Sequence, residues 1–221
     1  PPRSTLFPYT TLFRSHMEIN EGRRLVTHTA LFVRLPLRGR EKEYLLVWTT
    51  TPWTLPANTG AAVSSELAYL KLRARRDGAL YYLAEESLHQ QRLATEFKEG
   101  FGAQPWPKGV PKLKTLHQIF QERGGYELEG SVPGSALVGL AYDGPYDHLP
   151  AQQSPGGFAD PMDLIPAESR GWPSGAEGHR VFDPGRDSKG GAYVVAGEGT
   201  GIVHSAPGCG EIGRASCRER V

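Results

Sequence analysis

Short apolar stretches recur in the first half of the chain, and in one of them the apolar residues occupy every second position. Residues 29–35 and 44–48 each predict a strand, and residues 69–75 alternate with the period of two that is typical of a strand with one buried face. The Asp-Gly pair at 77–78 predicts a hairpin turn into a further strand at residues 79–83. This half of the chain is therefore expected to be rich in β structure.

The pattern is less regular after this hairpin. Residues 85–97 have the composition of a helix, and residues 137–142 and 201–204 predict strands, the latter paired with residues 192–195. Residues 150–184 are dense in Pro, Gly, Ser and Asp and predict an irregular surface insertion. Many short strands with few helices predict an α+β fold, in which a curled mixed β-sheet or β-barrel forms the core and the helices are peripheral.

The two ends of the chain do not share this pattern. Residues 1–15 (PPRSTLFPYTTLFRS) resemble the translation of a common sequencing adapter, and residues 212–221 (IGRASCRERV) resemble the translation of its reverse complement. We expect both ends to be adapter-derived artefacts. Residues 16–211 are then expected to form one domain with a sizeable core, internal to a longer gene.

The formal net charge of +1 depends on these ends. Their side chains contribute four net positive charges, so the rest of the chain carries −3, and the overall charge is no evidence of a basic surface that binds nucleic acid. Cys209 is the only cysteine outside the ends, and the absence of a possible internal disulfide fits the cytoplasm. No run of 18 apolar residues predicts a membrane span.

The segment with the most specific composition is Trp48-Thr49-Thr50-Thr51-Pro52-Trp53-Thr54-Leu55-Pro56-Ala57-Asn58. Because β-branched residues favour strands, three successive threonines can simply belong to one. The prolines limit this interpretation, since proline cannot donate a ladder hydrogen bond and is excluded from central strands. The threonines are therefore expected where a strand ends, with their short, stiff side chains lining a small pocket.

A second candidate segment is the glycine-rich stretch 197–211 (GEGTGIVHSAPGCGE). Its glycine spacing does not match the dinucleotide-binding fingerprint G-x-G-x-x-G. His204, Cys209 and Glu211 lack the paired spacing of a metal site, so no metal is expected. His204 and Ser205 are not part of the G-x-S-x-G turn of serine hydrolases. At the end of a strand and before a Pro-Gly turn, His204 is well placed to face a pocket.

Residues 48–58 (WTTTPWTLPAN) and 199–210 (GTGIVHSAPGCG) together resemble the editing domain of isoleucyl-tRNA synthetases, which are class I aminoacyl-tRNA synthetases. Residues 134–146 are also similar to that family, and the resemblance covers essentially all of residues 16–211. Valyl-tRNA synthetases, the related alternative, would carry a T-T-R-P-E-T pattern at residues 49–54. A non-catalytic module that binds the acceptor end of tRNA is the other alternative.

The resemblance implies hydrolysis of valine wrongly esterified to tRNA(Ile), in a second, smaller site that complements the limited discrimination of the first. In this family, residues matching Thr49, Thr50 and Thr51 line the hydrolytic site, and the residue matching His204 blocks the larger isoleucyl side chain. These four are the expected catalytic residues. The residues expected to bind the substrate are Trp48, Trp53, Thr54, Asn58 and Gly201.

The resemblance also implies partners and reveals one departure. The family carries an aspartate nine residues after the histidine, which binds the α-ammonium group of the substrate, whereas this chain has Gly213 there. The expected partner is tRNA(Ile) charged with valine, bound by a cytoplasmic monomer that contacts neither DNA nor membrane. No cofactor is expected for these 221 residues, and ATP and Mg²⁺ are expected only for the full-length synthetase.

Overall fold

The computed structural model describes residues 29–92, 113–150, 179–185, 194, 197 and 199–206. Within these ranges the chain forms nine strands: β1 (Leu31–Pro36), β2 (Glu43–Thr49), β3 (Gly60–Ala62), β4 (Ala68–Ala74), β5 (Leu80–Ala84), β6 (Tyr126–Pro133), β7 (Ala141–Tyr142), β8 (His179–Phe182) and β9 (Val203–Ser205). The helical elements there are one α-helix, α1 (Leu116–Glu122), and three short 3-10 helices at Pro52–Ala57, Glu85–Ser87 and Gly134–Ala136.

The strands form two mixed sheets. The first has the order β1-β2-β5-β4-β6 and the second the order β7-β8-β3-β9. The pairs β2–β5 and β3–β8 are parallel, and the other pairs are antiparallel. This confirms the predicted α+β class with mixed sheets. Within the described residues neither sheet closes into a barrel, because β1 and β6 remain edges of the first sheet and β7 and β9 edges of the second.

The two sheets share one apolar core. Side chains alternate along the strands as a sheet with two buried faces requires: Leu45 and Val47 of β2 belong to this core, whereas Leu46 between them belongs to a second one. Tyr142 from β7 and Val181 from β8 contribute to the shared core from the second sheet. Both are at most 1% exposed.

Helix α1 covers the opposite face of the five-stranded sheet. Leu116 and Phe120 are buried in the second core, where the ring of Phe120 lies 5.5 Å from that of Tyr81. Thr115 begins the helix with a capping box: its hydroxyl accepts from the N–H of Gln118, and the Gln118 side chain accepts from the N–H of Thr115. The five-stranded sheet is therefore the middle of three layers.

Most of the strands predicted for the first half of the chain are confirmed. The strands expected at 29–35, 44–48, 69–75 and 79–83 correspond to β1, β2, β4 and β5 with shifts of one or two residues at their ends. The hairpin turn is also confirmed, since Gly78 adopts a φ of +68° and the N–H of Ala79 donates to a carboxylate oxygen of Asp77 (3.1 Å).

Three predictions are wrong in the described residues. The helix expected at 85–97 is a 3-10 helix over Glu85–Ser87 with no α-helix through residue 92, because the carbonyl of Leu88 accepts from the N–H of His117 next to α1 (2.9 Å). The strand expected at 137–142 is reduced to β7, since the chain turns at Gly139 with a φ of +84°. Strand β8 lies inside the expected irregular insertion 150–184.

Other predictions lie partly or wholly outside the described residues. Strand β9 matches the end of the strand expected at 201–204, but of its expected partner at 192–195 only Val194 is described. The adapter-like ends, Cys209, Glu211 and Gly213 also lie outside. The domain limits of 16–211 therefore stay a prediction.

The positive φ of Gly201 permits a stability test with a matched control. A Cβ atom at Gly201 (φ +71°) would lie 2.2 Å from the Cβ of Ala84, whereas one at Gly39 (φ +72°) meets nothing within 4 Å. We expect Gly39→Ala to lower the free energy of unfolding by about 1 kcal/mol, the cost of the left-handed backbone for alanine. Gly201→Ala should cost roughly 1–3 kcal/mol more, because the backbone must move to relieve the overlap.

Urea denaturation of the two variants measures this difference directly. Equal losses would show that the contact between residues 201 and 84 is not tight.

Candidate functional site

A proline-containing corner connects the two sheets. Strand β2 ends at Thr49, and Pro52 at the start of the 3-10 helix prevents it from continuing. The N–H of Thr54 donates to the carbonyl of Thr51 (3.0 Å), which closes the first turn of that helix. The chain then enters β3, so the threonine run lies where one sheet passes into the other.

The antiparallel pairing of β3 with β9 places His204 beside this corner. Ala61 lies opposite His204 and Gly60 opposite Ser205, and the N–H of Thr59 extends the pairing by donating to the Ser205 carbonyl (2.8 Å). The imidazole thereby reaches threonines that precede it in the chain by 150 and 155 residues.

Thr49, Thr51, Thr54 and His204 form one hydrogen-bonded group, which we call the threonine–histidine cluster. The Oγ1 atom of Thr49 lies 3.3 Å from that of Thr51 and 3.4 Å from Nε2 of His204. The Oγ1 atom of Thr54 lies 3.2 Å from the same nitrogen. Thr49 is 0% exposed, Thr51 4% and His204 3%, so these polar groups satisfy one another away from bulk water.

The directions of these hydrogen bonds follow from the number of protons available. Thr54 has a single hydroxyl proton, which it donates to the carbonyl oxygen of Thr51 (2.7 Å). Toward His204 the hydroxyl oxygen of Thr54 therefore accepts, so Nε2 of His204 carries the ring proton. This is the tautomer in which Nδ1 is the unprotonated nitrogen.

The same count identifies the hydroxyl with the least committed proton. The oxygen of Thr49 accepts from the backbone N–H of Thr51 (3.1 Å) and from Nε2 of His204, so its own proton is directed to Oγ1 of Thr51. Among the described residues, the proton of Thr51 then finds only the oxygen of Thr54, at 3.5 Å. Because that is a long hydrogen bond, Thr51 is the member most readily available to donate to a ligand.

His204 is neutral over the physiological range. Its Nδ1 is buried and has no hydrogen-bond partner among the described residues. Burial lowers the pKa of His204 from its ordinary value of 6.5 to about 4, because the charged ring would lose its hydration. A neutral ring whose only proton is committed to threonine oxygens serves better as a fixed wall than as an acid.

The other predicted residues surround the cluster at different depths. Thr50 is 7% exposed, and Trp48 is half-buried beneath the guanidinium of Arg92, whose central carbon lies 5.1 Å from the ring. Asn58 is buried at the end of the 3-10 helix. Trp53 is 66% exposed and lies directly beside the buried threonines in the chain.

Gly201 has a clear packing role. Its carbonyl accepts from the hydroxyl of Tyr69 (2.8 Å), and its α-carbon packs against Ala84 of β5. No hydrogen bond joins Gly201 to the threonine–histidine cluster in the part of the chain that the structure describes. Its role in substrate binding stays a prediction, as do the roles of the other site residues.

Two residues near the site were not predicted from the sequence. The hydroxyl of Tyr142 donates to Oδ1 of Asn58 (2.6 Å), although the pattern at residues 137–142 indicated only a strand. Arg92 is 7% exposed and packs over both Phe32 and Trp48. Burial lowers the pKa of Arg92 to about 10, which leaves it charged at neutral pH. Nothing in the sequence pattern around Arg92 indicates such a position.

The described residues contain no group of three or more His, Cys, Asp or Glu side chains suited to a metal ion. None of their helices is long and apolar enough to cross a membrane. A groove of about 740 Å³ lies between α1 and the outer face of the five-stranded sheet, with Arg34, Tyr81 and Phe120 in its lining. It is on the side of the sheet opposite to Thr49 and is not part of the cluster.

Comparison with known sequences finds isoleucine–tRNA ligases. The chain is 35% identical over 185 residues to that of Methanoculleus marisnigri, 33% identical over 184 residues to that of Methanoregula boonei and 27% identical over 205 residues to that of Chlamydia trachomatis serovar L2. These matches cover 83%, 83% and 93% of the chain. The chain spans only 12–14% of the length of these curated relatives. No protein-family model matches it.

Comparison with solved structures finds leucyl-tRNA synthetase domains at low similarity. GlLeuRS-CP1 gives a TM-score of 0.44 at 14% identity, over 81% of this chain and 55% of that one. The editing domain of the P. knowlesi cytosolic leucyl-tRNA synthetase gives 0.42 at 12% identity, over 80% and 58%. These scores are too low to define a shared fold.

The burial of neutral His204 predicts a pH dependence of stability. Its pKa is lower in the folded than in the unfolded chain, so between about pH 6.5 and pH 4 the unfolded chain binds the additional proton. The contribution is fully present above pH 6.5 and is lost as the pH falls toward 4. His204→Gln keeps an N–H donor but does not titrate. We expect the original chain to lose roughly 3 kcal/mol more than this variant between pH 7 and pH 4.

Urea unfolding at a series of pH values measures both proteins under identical conditions, so the other titrating groups cancel in the difference. Parallel pH profiles would contradict the assignment of a buried, neutral imidazole.

Proposed function

Since the chain belongs to the isoleucyl-tRNA synthetase family, we propose that its threonine–histidine cluster is an editing site that hydrolyses the ester between valine and tRNA(Ile). The observation that carries this proposal is the buried group of three threonine hydroxyls around a neutral imidazole, with one hydroxyl proton loosely held. Such a group offers hydrogen bonds and a rigid wall, which are what recognition of a small aminoacyl ester requires.

The reaction needs no protein nucleophile. A water oxygen adds to the ester carbonyl carbon, the bond from that carbon to the ribose oxygen breaks, and the ribose oxygen takes a proton. Valine and tRNA with a free terminal hydroxyl are the products. The hydroxyl of Thr51 is the group best placed to donate to the carbonyl oxygen as negative charge develops there, because its proton has no short hydrogen bond in the cluster. Orientation of the water and the ester supplies the rest of the acceleration.

The same side chains account for selectivity. Threonine has few accessible χ1 rotamers, and those of Thr49 and Thr51 are further held by hydrogen bonds within the cluster. His204 is held at Nε2 by two threonine oxygens. A wall of this kind cannot retreat to admit one more methylene group, so it accepts valine and excludes isoleucine. Discrimination at this second site adds to that of the synthetic site, where one methylene contributes only about 1–3 kcal/mol.

The proposal also specifies the substrate, the oligomeric state and the location of the protein. The substrate is tRNA(Ile) carrying valine, the protein acts as a monomer, and the location is the cytoplasm. ATP and Mg²⁺ belong to the aminoacylation reaction of the full-length synthetase. Family membership supports the tRNA partner, and the threonine–histidine cluster supports the aminoacyl end of it.

Position 213 provides the first test. The family's aspartate there holds the α-ammonium group of the substrate, and this chain has glycine. We expect the chain as it stands to deacylate valyl-tRNA(Ile) slowly. Gly213→Asp should raise the single-turnover rate, measured with excess protein, by about tenfold or more, since a charge-assisted hydrogen bond is at stake. Replacing residues 214–221 by natural sequence should increase the gain, whereas an unchanged rate would overturn the placement of this aspartate.

Two isosteric variants test the role of the hydroxyls. Thr49→Val removes the oxygen that joins Thr51 and His204, and we expect it to slow hydrolysis by about 10–100-fold in the Gly213→Asp background. Thr59→Val is the matched control: its hydroxyl donates only to a backbone carbonyl, that of Ser205 (3.3 Å), and the rate should change by less than about threefold.

Binding of uncharged tRNA(Ile) is measured in parallel. If the chain and its Gly213→Asp form bind tRNA but release no valine above the spontaneous rate, the domain is a non-catalytic acceptor-end module. Equal effects of the two valine substitutions would argue that the hydroxyl of Thr49 has no special place in the reaction.

A further inference from the structure

A buried chain of polar contacts reaches the candidate site from the second sheet. The hydroxyl of Tyr142 donates to Oδ1 of Asn58 (2.6 Å), and Nδ2 of Asn58 donates to the carbonyl of Gly60 (3.1 Å). Tyr142 is 0% exposed and Asn58 2%. Asn58 follows the 3-10 helix that carries Thr54, and Gly60 begins the strand that pairs with β9. Tyr142 is therefore connected to both halves of the site through one amide group.

The orientation of that amide is determined by its partners. The Gly60 carbonyl can only accept, so the nitrogen of the Asn58 amide must face it, and the oxygen must face Tyr142. The Tyr142 hydroxyl then has to donate. Burial raises the pKa of Tyr142 well above its ordinary value of 10, so this hydroxyl keeps its proton at all physiological pH values. One N–H of the amide nitrogen is left without a bond to any described residue.

The ring of Tyr142 is itself held in place. It stacks on the imidazole of His179, with ring centroids 5.4 Å apart and planes inclined by 29°. His179 is 3% exposed, and its Nε2 lies 2.9 Å from a carboxylate oxygen of Asp147. A second oxygen of Asp147 accepts from the backbone N–H of Gly144 (2.8 Å). The tyrosine hydroxyl is thus aimed at Asn58 by a rigid support.

We infer that Tyr142 is a positioning residue for the editing reaction, acting through Asn58. Its hydroxyl fixes the amide so that the remaining N–H is presented as a donor to the bound aminoacyl ester. The inference rests on the proposed function, because it assigns Tyr142 to the same site. In the absence of the hydroxyl, the amide oxygen loses its buried donor, the amide can rotate, and the N–H no longer has one direction.

A double-mutant cycle tests the inference. Tyr142→Phe, Asn58→Ala and the double variant are made in the Gly213→Asp background and in the chain as it stands. Single-turnover deacylation of valyl-tRNA(Ile) is followed over a range of protein concentrations, which separates the rate of hydrolysis from binding. Tyr82→Phe is the control, because Tyr82 is 2% exposed in the same core and its hydroxyl donates to Glu43 (2.8 Å), away from the cluster.

We expect Tyr142→Phe to slow hydrolysis about tenfold at saturating protein, and less than twofold when Asn58 is already alanine. Tyr82→Phe should leave the rate within about twofold, even if it lowers the melting temperature as much as Tyr142→Phe does. Losses by Tyr142→Phe that are the same with and without Asn58, or no loss at all, would overturn the inference while leaving the proposed function intact.

If neither the chain as it stands nor its Gly213→Asp form hydrolyses valyl-tRNA(Ile), the proposed function and this inference are overturned together. Asn58→Asp covers the case in which Tyr142→Phe does not fold. Aspartate can still accept from the tyrosine hydroxyl but lacks the N–H, so its hydrolysis should fall to the level of Asn58→Ala. Hydrolysis at the level of asparagine would overturn the inference.

Discussion

The pairing of β3 with β9 is the interaction on which the candidate site depends. It brings His204 to a threonine run that precedes it by about 150 residues, and it does so with only three residues in each strand. The proline-containing corner before β3 fixes the other half, since Pro52 ends the ladder of β2 and turns the chain toward the second sheet. Without this turn, the threonines would continue as a strand and alternate between the two faces.

The cluster is stable in a buried position because its members satisfy each other. An unpaired buried hydroxyl costs about 1–3 kcal/mol, and a buried charge costs more. Hydroxyls can both donate and accept, so the oxygens of the three threonines accept hydrogen bonds from one another and from the single N–H of a neutral His204. The one group left unpaired, Nδ1 of His204, is a lone pair and not a charge. The buried arrangement of the cluster is therefore stable only while the imidazole ring is neutral.

Sequence reasoning found those parts of the fold that are encoded locally. A short apolar run predicted β2, alternation predicted β4, and the Asp-Gly turn, in which Gly78 adopts a positive φ, predicted β5. Strand β6 was missed since nearly all its residues are exposed and its pattern is polar. Helix α1 has only seven residues, and its one signal is the capping box of Thr115 and Gln118.

The site was predicted in a similarly uneven way. The threonine run was identified by its composition and His204 by its position, and the resemblance to a family supplied their expected roles. The structure brings Thr49, Thr51, Thr54 and His204 into one group. The support from Tyr142 was not predicted, because a tyrosine in an apolar stretch is indistinguishable from a core residue until its hydroxyl has a partner. Long-range hydrogen bonds of this kind depend on topology and have no periodicity along the chain.

Burial changes sharply along the threonine segment. Thr49 is 0% exposed, Thr51 4% and Trp53 66%, so three alternate residues lead from the core to the surface. Thr51, whose proton is loosely held, is about as well shielded from bulk water as His204, which is 3% exposed. In the proposed editing reaction, the ester would therefore have to reach a hydroxyl that is already shielded from solvent. The valyl side chain would then contact the wall formed by Thr49, Thr51 and His204, whose positions are fixed by the hydrogen bonds within the cluster.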